Sequence, residues 1–276
     1  MEILERNLPP SLERWEAVSN HFCEVQYDEK NGDVYAMIHS GSRQMGKKVG
    51  DYFNKVAEKL NSMWHSRDCH IPFLPTDSPE GKAYLSWVDF CLEFAYLNRR
   101  VMLEEVKNIF RHEFPNIGWT TKEIFDDTKN DILNKHHNFV ALETHLGKTG
   151  YVHRKGATAA FEGSTCIIPG SMSTASYIAV GNGNKVSLSS CSHGGGRRMG
   201  RMAFNRKMKN SYAQIEESLN GIVHSEFKKV DRGKDKGLLD VSECGFAYKD
   251  IEDVMSNQED LVTPIVKLKP LLCLKG

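Results

Sequence analysis

Residues 21–39 read HFCEVQYDEKNGDVYAMIH, and the reading of this stretch decides the fold class. Two β-type runs, Phe22 to Tyr27 and Val34 to Ile38, flank the turn signal Lys30-Asn31-Gly32-Asp33. Asn-Gly tolerates the left-handed backbone of a tight hairpin, and strands joined so closely pair antiparallel. Working outward, Met45 to Met63 has helical spacing, and His65 to Asp77 reads as a loop with two prolines. Asp77-Ser78-Pro79-Glu80 then carries helix-start chemistry, a capping side chain and a proline tolerated in the first turn. Tyr84, Trp87, Val88, Cys91, Ala95, Met102, Val106 and Phe110 recur mostly at steps of three and four, so this amphipathic helix is expected to run to about Phe114, where Pro115 ends it. The helix pair is expected to serve packing.

Beyond Asp131 the texture changes to short β-type runs broken by glycine: Asn138 to Leu142, Thr165 to Ile168, Ser176 to Val180 and Val186 to Ser190. A helix is expected to follow Gly196 through Met202, Phe204 and Met208, another to cover Ala247 to Met255, and a strand to close the chain from Val262 to Leu274. There is no internal repeat and no low-complexity linker. The expectation is an α+β fold, one domain over 1–276 with a mixed or antiparallel β core and a helical insertion at about 44–115.

Thirty-six basic and 36 acidic residues cancel, so any nucleic-acid surface has to be a local patch rather than a global field. Seven dispersed cysteines, Cys23, Cys69, Cys91, Cys166, Cys191, Cys244 and Cys273, form no CxxC pair and read as reduced thiols of a cytoplasmic protein. The start, with Glu2, Glu5 and Arg6, is unlike a signal peptide, and no apolar run approaches the roughly 20 residues that span a bilayer.

Five of the eleven histidines sit in polar or glycine-rich settings: His21, His39, His137, His153 and His193. Imidazole is a common ligand for manganese, zinc or iron, and several such residues at strand edges can share a cleft. Ser189-Ser190-Cys191-Ser192-His193-Gly194-Gly195-Gly196-Arg197-Arg198 follows a β-type run and opens the expected helix, so its amides and the helix dipole should favour a phosphate. A histidine at the mouth of such a loop can attack phosphorus and form a phosphoramidate. Ile168-Pro169-Gly170-Ser171-Met172-Ser173-Thr174-Ala175-Ser176 adds a tight turn with hydroxyls and amides that could cup a nucleotide. Neither segment has P-loop spacing or a GxGxxG after a strand, which disfavours ordinary nucleotide-binding folds.

Taken in order, Asn20-His21-Phe22-Cys23-Glu24, His39-Ser40-Gly41-Ser42-Arg43, His137-Asn138, His153-Arg154-Lys155-Gly156-Ala157-Thr158, Pro169-Gly170-Ser171-Met172, Ser192-His193-Gly194 and the terminal Lys275-Gly276 closely resemble the RtcB-type RNA ligases over nearly the whole chain. The resemblance implies GTP- and manganese-dependent joining of RNA 3′-phosphate or 2′,3′-cyclic phosphate ends to 5′-hydroxyl ends, in tRNA splicing and RNA repair. By position it makes His193 the nucleophile that accepts GMP, and His21, His39 and His137 manganese ligands, two ions filling a complete site. It places Asn20, His21, Phe22, Cys23, Glu24, His137, Asn138, Pro169, Gly170, Ser171, Met172, Ser176, Gly194, Gly195, Gly196, Tyr248 and Lys275 around the GTP, with Glu24 and Lys275 at the guanine and Tyr248 packed on the base. Arg43, Arg154, Lys155, Arg197 and Arg198 are the candidates for RNA or phosphate contacts.

Three departures stand against the family pattern. The Asp-x-Gly-Cys string that supplies two metal ligands has no counterpart in the 19 residues before Asn20, Ser173 replaces a usual glycine, and Gly195 replaces a usual alanine. Fewer ligands should weaken metal affinity. The expectations left open are a fragment, a second chain that supplies the missing ligands, or a changed role. Two other classes therefore stand beside the ligase: a metal-dependent phosphoesterase that activates water, and a silent RNA- or nucleotide-binding protein.

Overall fold

The computed structural model describes residues 21–63, 71–116, 133–231 and 233–275. Its strands are β1 Phe22–Asp28, β2 Val34–His39, β3 Asn138–His145, β4 Lys148–Lys155, β5 Ala157–Ala159, β6 Thr165–Ile168, β7 Ser176–Gly181, β8 Ser190–Ser192, β9 Val223–His224 and β10 Val262–Lys275. The helices are α1 Arg43–Met63, α2 Pro79–Glu113, α3 Arg201–Met208, α4 Tyr212–Ser218 and α5 Ile251–Ser256. The fold is α+β, and it divides into two compact units.

The first unit takes the described parts of Met1–His39, Lys122–Leu133 and Gly156–Gly276. Its main sheet has the order β2-β1-β10-β7-β6, all antiparallel, with β9 parallel to β10. The expected hairpin forms: Asp28 N–H donates to Asp33 O at 2.9 Å, and Gly32 supplies a φ of 73° that few other residues adopt cheaply. Strand β10 is the spine, because its first half pairs with β7 and its second half with β1. Helix α5 covers one apolar cluster, in which Ile251 and Met255 pack with Ile168, Tyr177 and Val262. A second cluster gathers Met172, Phe204, Ile215, Val241 and Cys273. Burying each of these larger side chains stabilises the fold by roughly 1.5–3 kcal/mol.

The second unit takes the described parts of Ser40–Thr121 and Asn134–Lys155: α1, α2 and the β3–β4 hairpin. Ser78 caps α2 by accepting from Gly81 N–H at 3.0 Å, with Pro79 in the first turn, and Phe114 closes the helix. Arg99 ties together separate stretches of this unit. Its Nε donates to Asn134 Oδ1 at 2.6 Å, Nη1 to Ser40 O at 3.0 Å, and Nη2 to His136 Nδ1 at 3.4 Å. Burial lowers its guanidinium to about 10 and, together with Arg99, lowers His136 to about 4, so His136 is a neutral acceptor near pH 7. Arg99→Met should strand these acceptors and destabilise the unit by about 2–3 kcal/mol in urea denaturation. An unchanged midpoint would show that the tie contributes nothing.

Several sequence expectations need correction. Val186 to Ser189 is a turn, and the strand expected there, β8, begins only at Ser190. Asn184 Oδ1 accepts from Val186 N–H at 2.8 Å, and Leu188 and Ser189 take φ of 53° and 49°, so the apolar Val186 is left in solvent. The helix after the glycine run begins only at Arg201, because Gly196 turns at φ 67° and Arg197 forms a bridge to Tyr248. Ala247 to Met255 is interrupted: a 3-10 turn ends at Ala247, Tyr248 is extended, and Asp250 caps α5 by accepting from Glu252 N–H at 2.9 Å. On α2, Cys91, Ala95 and Val106 are buried as expected, but Trp87 remains 48% exposed, its ring edge-on to that of the exposed Phe90. Strands β4, β5 and β9 and helix α4 were not anticipated.

Candidate nucleotide-binding site

Alternation along β1 puts Phe22, Glu24 and Gln26 on one face and Cys23 on the other. On the first face lies an open pocket lined by His21, Phe22, Glu24, Gly170, Ser171, Met172, Glu243, Tyr248 and Cys273. Residues from distant parts of the chain thus meet over the β1–β10 ladder, where Glu24 stands opposite Cys273 in register.

Glu24 is buried beside neutral groups. Gln26 Nε2 donates to its Oε2 at 2.6 Å, and Cys273 Sγ to its Oε1 at 3.3 Å. Burial raises this carboxyl to about 7, the two hydrogen bonds offsetting only part of that rise. The raised value sets a sign. Glu24 binds a proton in the folded state that the unfolded chain has already lost between about 4.5 and 7, so folding stability should fall as pH rises through that window. Glu24→Gln should flatten that part of the stability–pH curve, measured by thermal melting at fixed ionic strength. An unaltered slope would remove Glu24 as its cause.

Ser176 Oγ accepts from Gly170 N–H at 3.1 Å and from Gln26 Nε2 at 3.0 Å, so the Pro169-Gly170 turn is anchored to β1. Gly170 is required by space, since a Cβ there would lie 2.1 Å from Ala175 O. The histidine loop is tied to the same turn: Gly195 N–H donates to Pro169 O at 3.0 Å. A Cβ at Gly195 would meet only ordinary contacts, both at 3.8 Å, so an alanine would fit there. His193 Nδ1 donates to Gly156 O at 2.8 Å. A carbonyl can only accept, so the neutral ring carries its proton on Nδ1 and its lone pair on Nε2.

At the other wall, Glu243 accepts from Tyr248 OH and pairs with Arg201 at 2.9 Å and Arg197 at 3.3 Å. The Arg197 guanidinium lies 5.1 Å over the Tyr248 ring and holds one of its faces. Burial and the adjacent Glu243 push the Tyr248 phenol upward, so it stays a donor at any ordinary pH. Tyr248 also packs against the second apolar cluster and lines the pocket.

His21 precedes β1 and His39 ends β2. Phe22 and His39 are register partners with rings stacked 5.0 Å apart, so both histidines occupy one end of this ladder, a donor type that suits manganese. His137 and Asn138 belong to the second unit. Among the described residues no group of three or more His, Cys, Asp or Glu side chains is placed to hold a metal. Asn20 and Cys69 lie outside the described residues, and of Lys275 only the backbone is described, paired with Phe22. Cys23 is buried away from the pocket, and the six described cysteines are all free thiols. Arg154 does not serve as an exposed phosphate contact: it is buried and forks onto Glu143 at 2.6 and 2.9 Å.

Sequence reasoning missed Glu243, Cys273 and Gln26. Period-two alternation could have found Gln26, two residues from Glu24, whereas nothing local marks Glu243.

The family model described as tRNA-splicing ligase RtcB matches residues 18–276. The chain belongs to the RtcB family. It is 37% identical over 262 residues to the RNA-splicing ligase RtcB of Escherichia coli strain K12, an alignment covering 93% of this chain and 59% of that protein. The tRNA-splicing ligase RtcB of Thermococcus kodakarensis is 30% identical over 298 residues, with 93% and 58% covered. The corresponding figures for Mycobacterium tuberculosis RtcB are 28% over 291 residues, 93% and 63%. The chain thus spans about 58–63% of the length of these RtcB relatives. Among its described residues no helix is long and apolar enough to cross a membrane.

Proposed function

We propose that this chain carries the nucleotidyl-transfer chemistry of a GTP- and manganese-dependent RNA ligase, which joins RNA 3′-phosphate or 2′,3′-cyclic phosphate ends to 5′-hydroxyl ends. The observation that carries the reading is the His193 tautomer fixed by Gly156 O, on a loop pinned to the turn that lines the pocket. The family match supports the same conclusion.

In this reading guanine enters the pocket, with its N1–H and 2-amino group donating to Glu24 and its ring against Tyr248. Lys275 is the further residue assigned to the guanine. The phosphates extend along the loop that carries His193. The His193 Nε2 lone pair forms a bond to the α-phosphorus as the bond to the β-phosphate oxygen breaks, and pyrophosphate leaves with that electron pair. Gly156 O then stabilises the charge that develops on the ring. An oxygen of the RNA 3′-phosphate next attacks the same phosphorus and returns the electron pair to Nε2. The 5′-hydroxyl of the second RNA displaces GMP from the activated end.

His21 and His39, at one end of the β1–β2 ladder, are the residues that would hold manganese, and His137 is assigned to it by the resemblance alone. Bound there, the ion would supply charge neutralisation and orientation of the triphosphate.

A phosphoesterase would hydrolyse nucleotide without retaining it, and a silent binding protein would do neither. Incubation with manganese and GTP labelled on the α-phosphate separates the three readings. Acid-labile, alkali-stable label on the protein is the result expected of the ligase. Release of labelled product with no protein-bound label would defeat it.

A further inference from the structure

We propose that Gln26 is a positioning residue that joins the two ends of the pocket, holding the Glu24 carboxylate and, through Ser176, the Gly170 turn as one hydrogen-bonded unit. The inference rests on the guanine-nucleotide reading and goes beyond it, since it assigns a share of base discrimination to a side chain that does not line the pocket.

The argument begins with strand geometry. Glu24 and Gln26 are two residues apart and face the same side of β1. The β1–β10 register shifts between Val25 and Gln26, where Gln26 stands opposite Pro270. The extra residue is Leu271 on β10, so β1 keeps its alternation with Gln26 on the Glu24 face, and Pro270 has no N–H to offer the ladder there. Gln26 then reaches across the spine strand to Ser176 on β7.

Both protons of its amide nitrogen are committed, one to Glu24 Oε2 at 2.6 Å and one to Ser176 Oγ at 3.0 Å. The same Oγ accepts the Gly170 N–H at 3.1 Å. A position that needed only filling would favour an apolar side chain, because a buried amide has to be desolvated. Here Gln26 is 0% exposed, and its Oε1 has no hydrogen-bond partner, so its place is justified by its two donors.

The chemistry follows from what a purine presents. Guanine offers two adjacent donors to a carboxylate, whereas hypoxanthine offers only the ring N–H. A carboxylate fixed in orientation can accept both donors and so separate the two bases. One free to rotate loses most of that distinction.

The test is the ratio of GTP to ITP dissociation constants, measured by calorimetry on the full chain, for wild type, Gln26→Met, Ser176→Ala and the double variant, with melting curves as a folding control. The wild type should prefer GTP. Gln26→Met should reduce that preference about tenfold, Ser176→Ala should reduce it less, and the double variant should be no worse than Gln26→Met, the mark of a shared network. A preference that survives in Gln26→Met, or losses that add in the double variant, would overturn the relay while leaving the guanine reading intact. Should Gln26→Met fail to fold, an unchanged preference in Ser176→Ala would overturn it. A wild type that binds neither nucleotide, or binds both equally, would overturn the guanine reading and the relay together.

Discussion

His193→Ala is expected to reduce transfer of the GTP α-phosphate label to the protein by roughly four or more powers of ten, because a group that forms the covalent bond has no substitute nearby. The structure makes the expectation specific. With Nδ1 held by Gly156 O at 2.8 Å, attack is assigned to Nε2. Loss of label should therefore come without loss of fold or of GTP binding, since Glu24, Tyr248 and the Gly170 turn remain in place. His193→Gln is the companion variant, because it retains a polar side chain but has no nucleophilic ring nitrogen. Protein-bound label persisting in either variant would assign the nucleophile elsewhere. A loss of GTP binding equal to the loss of label would instead make His193 a binding residue.

Arg154→Met is expected to produce the largest loss of stability, about 3–5 kcal/mol in chemical denaturation, because it would leave Glu143 as a buried charge without its cation. The pair is bidentate, at 2.6 and 2.9 Å, and the two side chains are 2% and 10% exposed. The guanidinium holds the Glu143 carboxyl below its usual range, and a second contact, from His145 at 2.7 Å, completes the cluster. Because the folded value is depressed, this stabilisation should be present above the usual glutamate range and fade as pH falls through the lower folded value. The double variant Arg154→Met/Glu143→Leu should recover most of the loss, since it removes both charges. A single variant as stable as wild type would show that the pair is not needed for the fold.

Arg154 also marks where sequence reasoning stops. It sits in a basic string, His153-Arg154-Lys155, and such strings read as phosphate contacts. Strand alternation places Arg154 inward and its two neighbours outward, and the acid that receives it is eleven residues away across the β3–β4 hairpin. The glycine run misled in a related way. His193 to Arg198 has the composition of a helix N-terminus that binds anions, yet α3 starts only at Arg201, and the Pro169 and Gly170 segment holds the loop instead. The strand expected over Val186 to Ser190 is delayed to Ser190, because Asn184 captures the Val186 and Ser187 amides first.

The sequence alone determined the elements whose causes are local. The Asn-Gly hairpin, the Ser78-Pro79 start of α2 and the terminal strand each follow from side chains acting on backbone a few residues away, and the ordered histidine strings were enough to indicate the family. Only the tertiary structure decided which residues share a pocket and in what state. Glu24 is an unremarkable strand acid until β10 sets Cys273 opposite it and Ser176 closes over Gln26. Burial and hydrogen-bond partners far along the chain, 249 residues from Glu24 and 37 from His193, are properties of the packed chain, and they set both the protonation of Glu24 and the tautomer of His193.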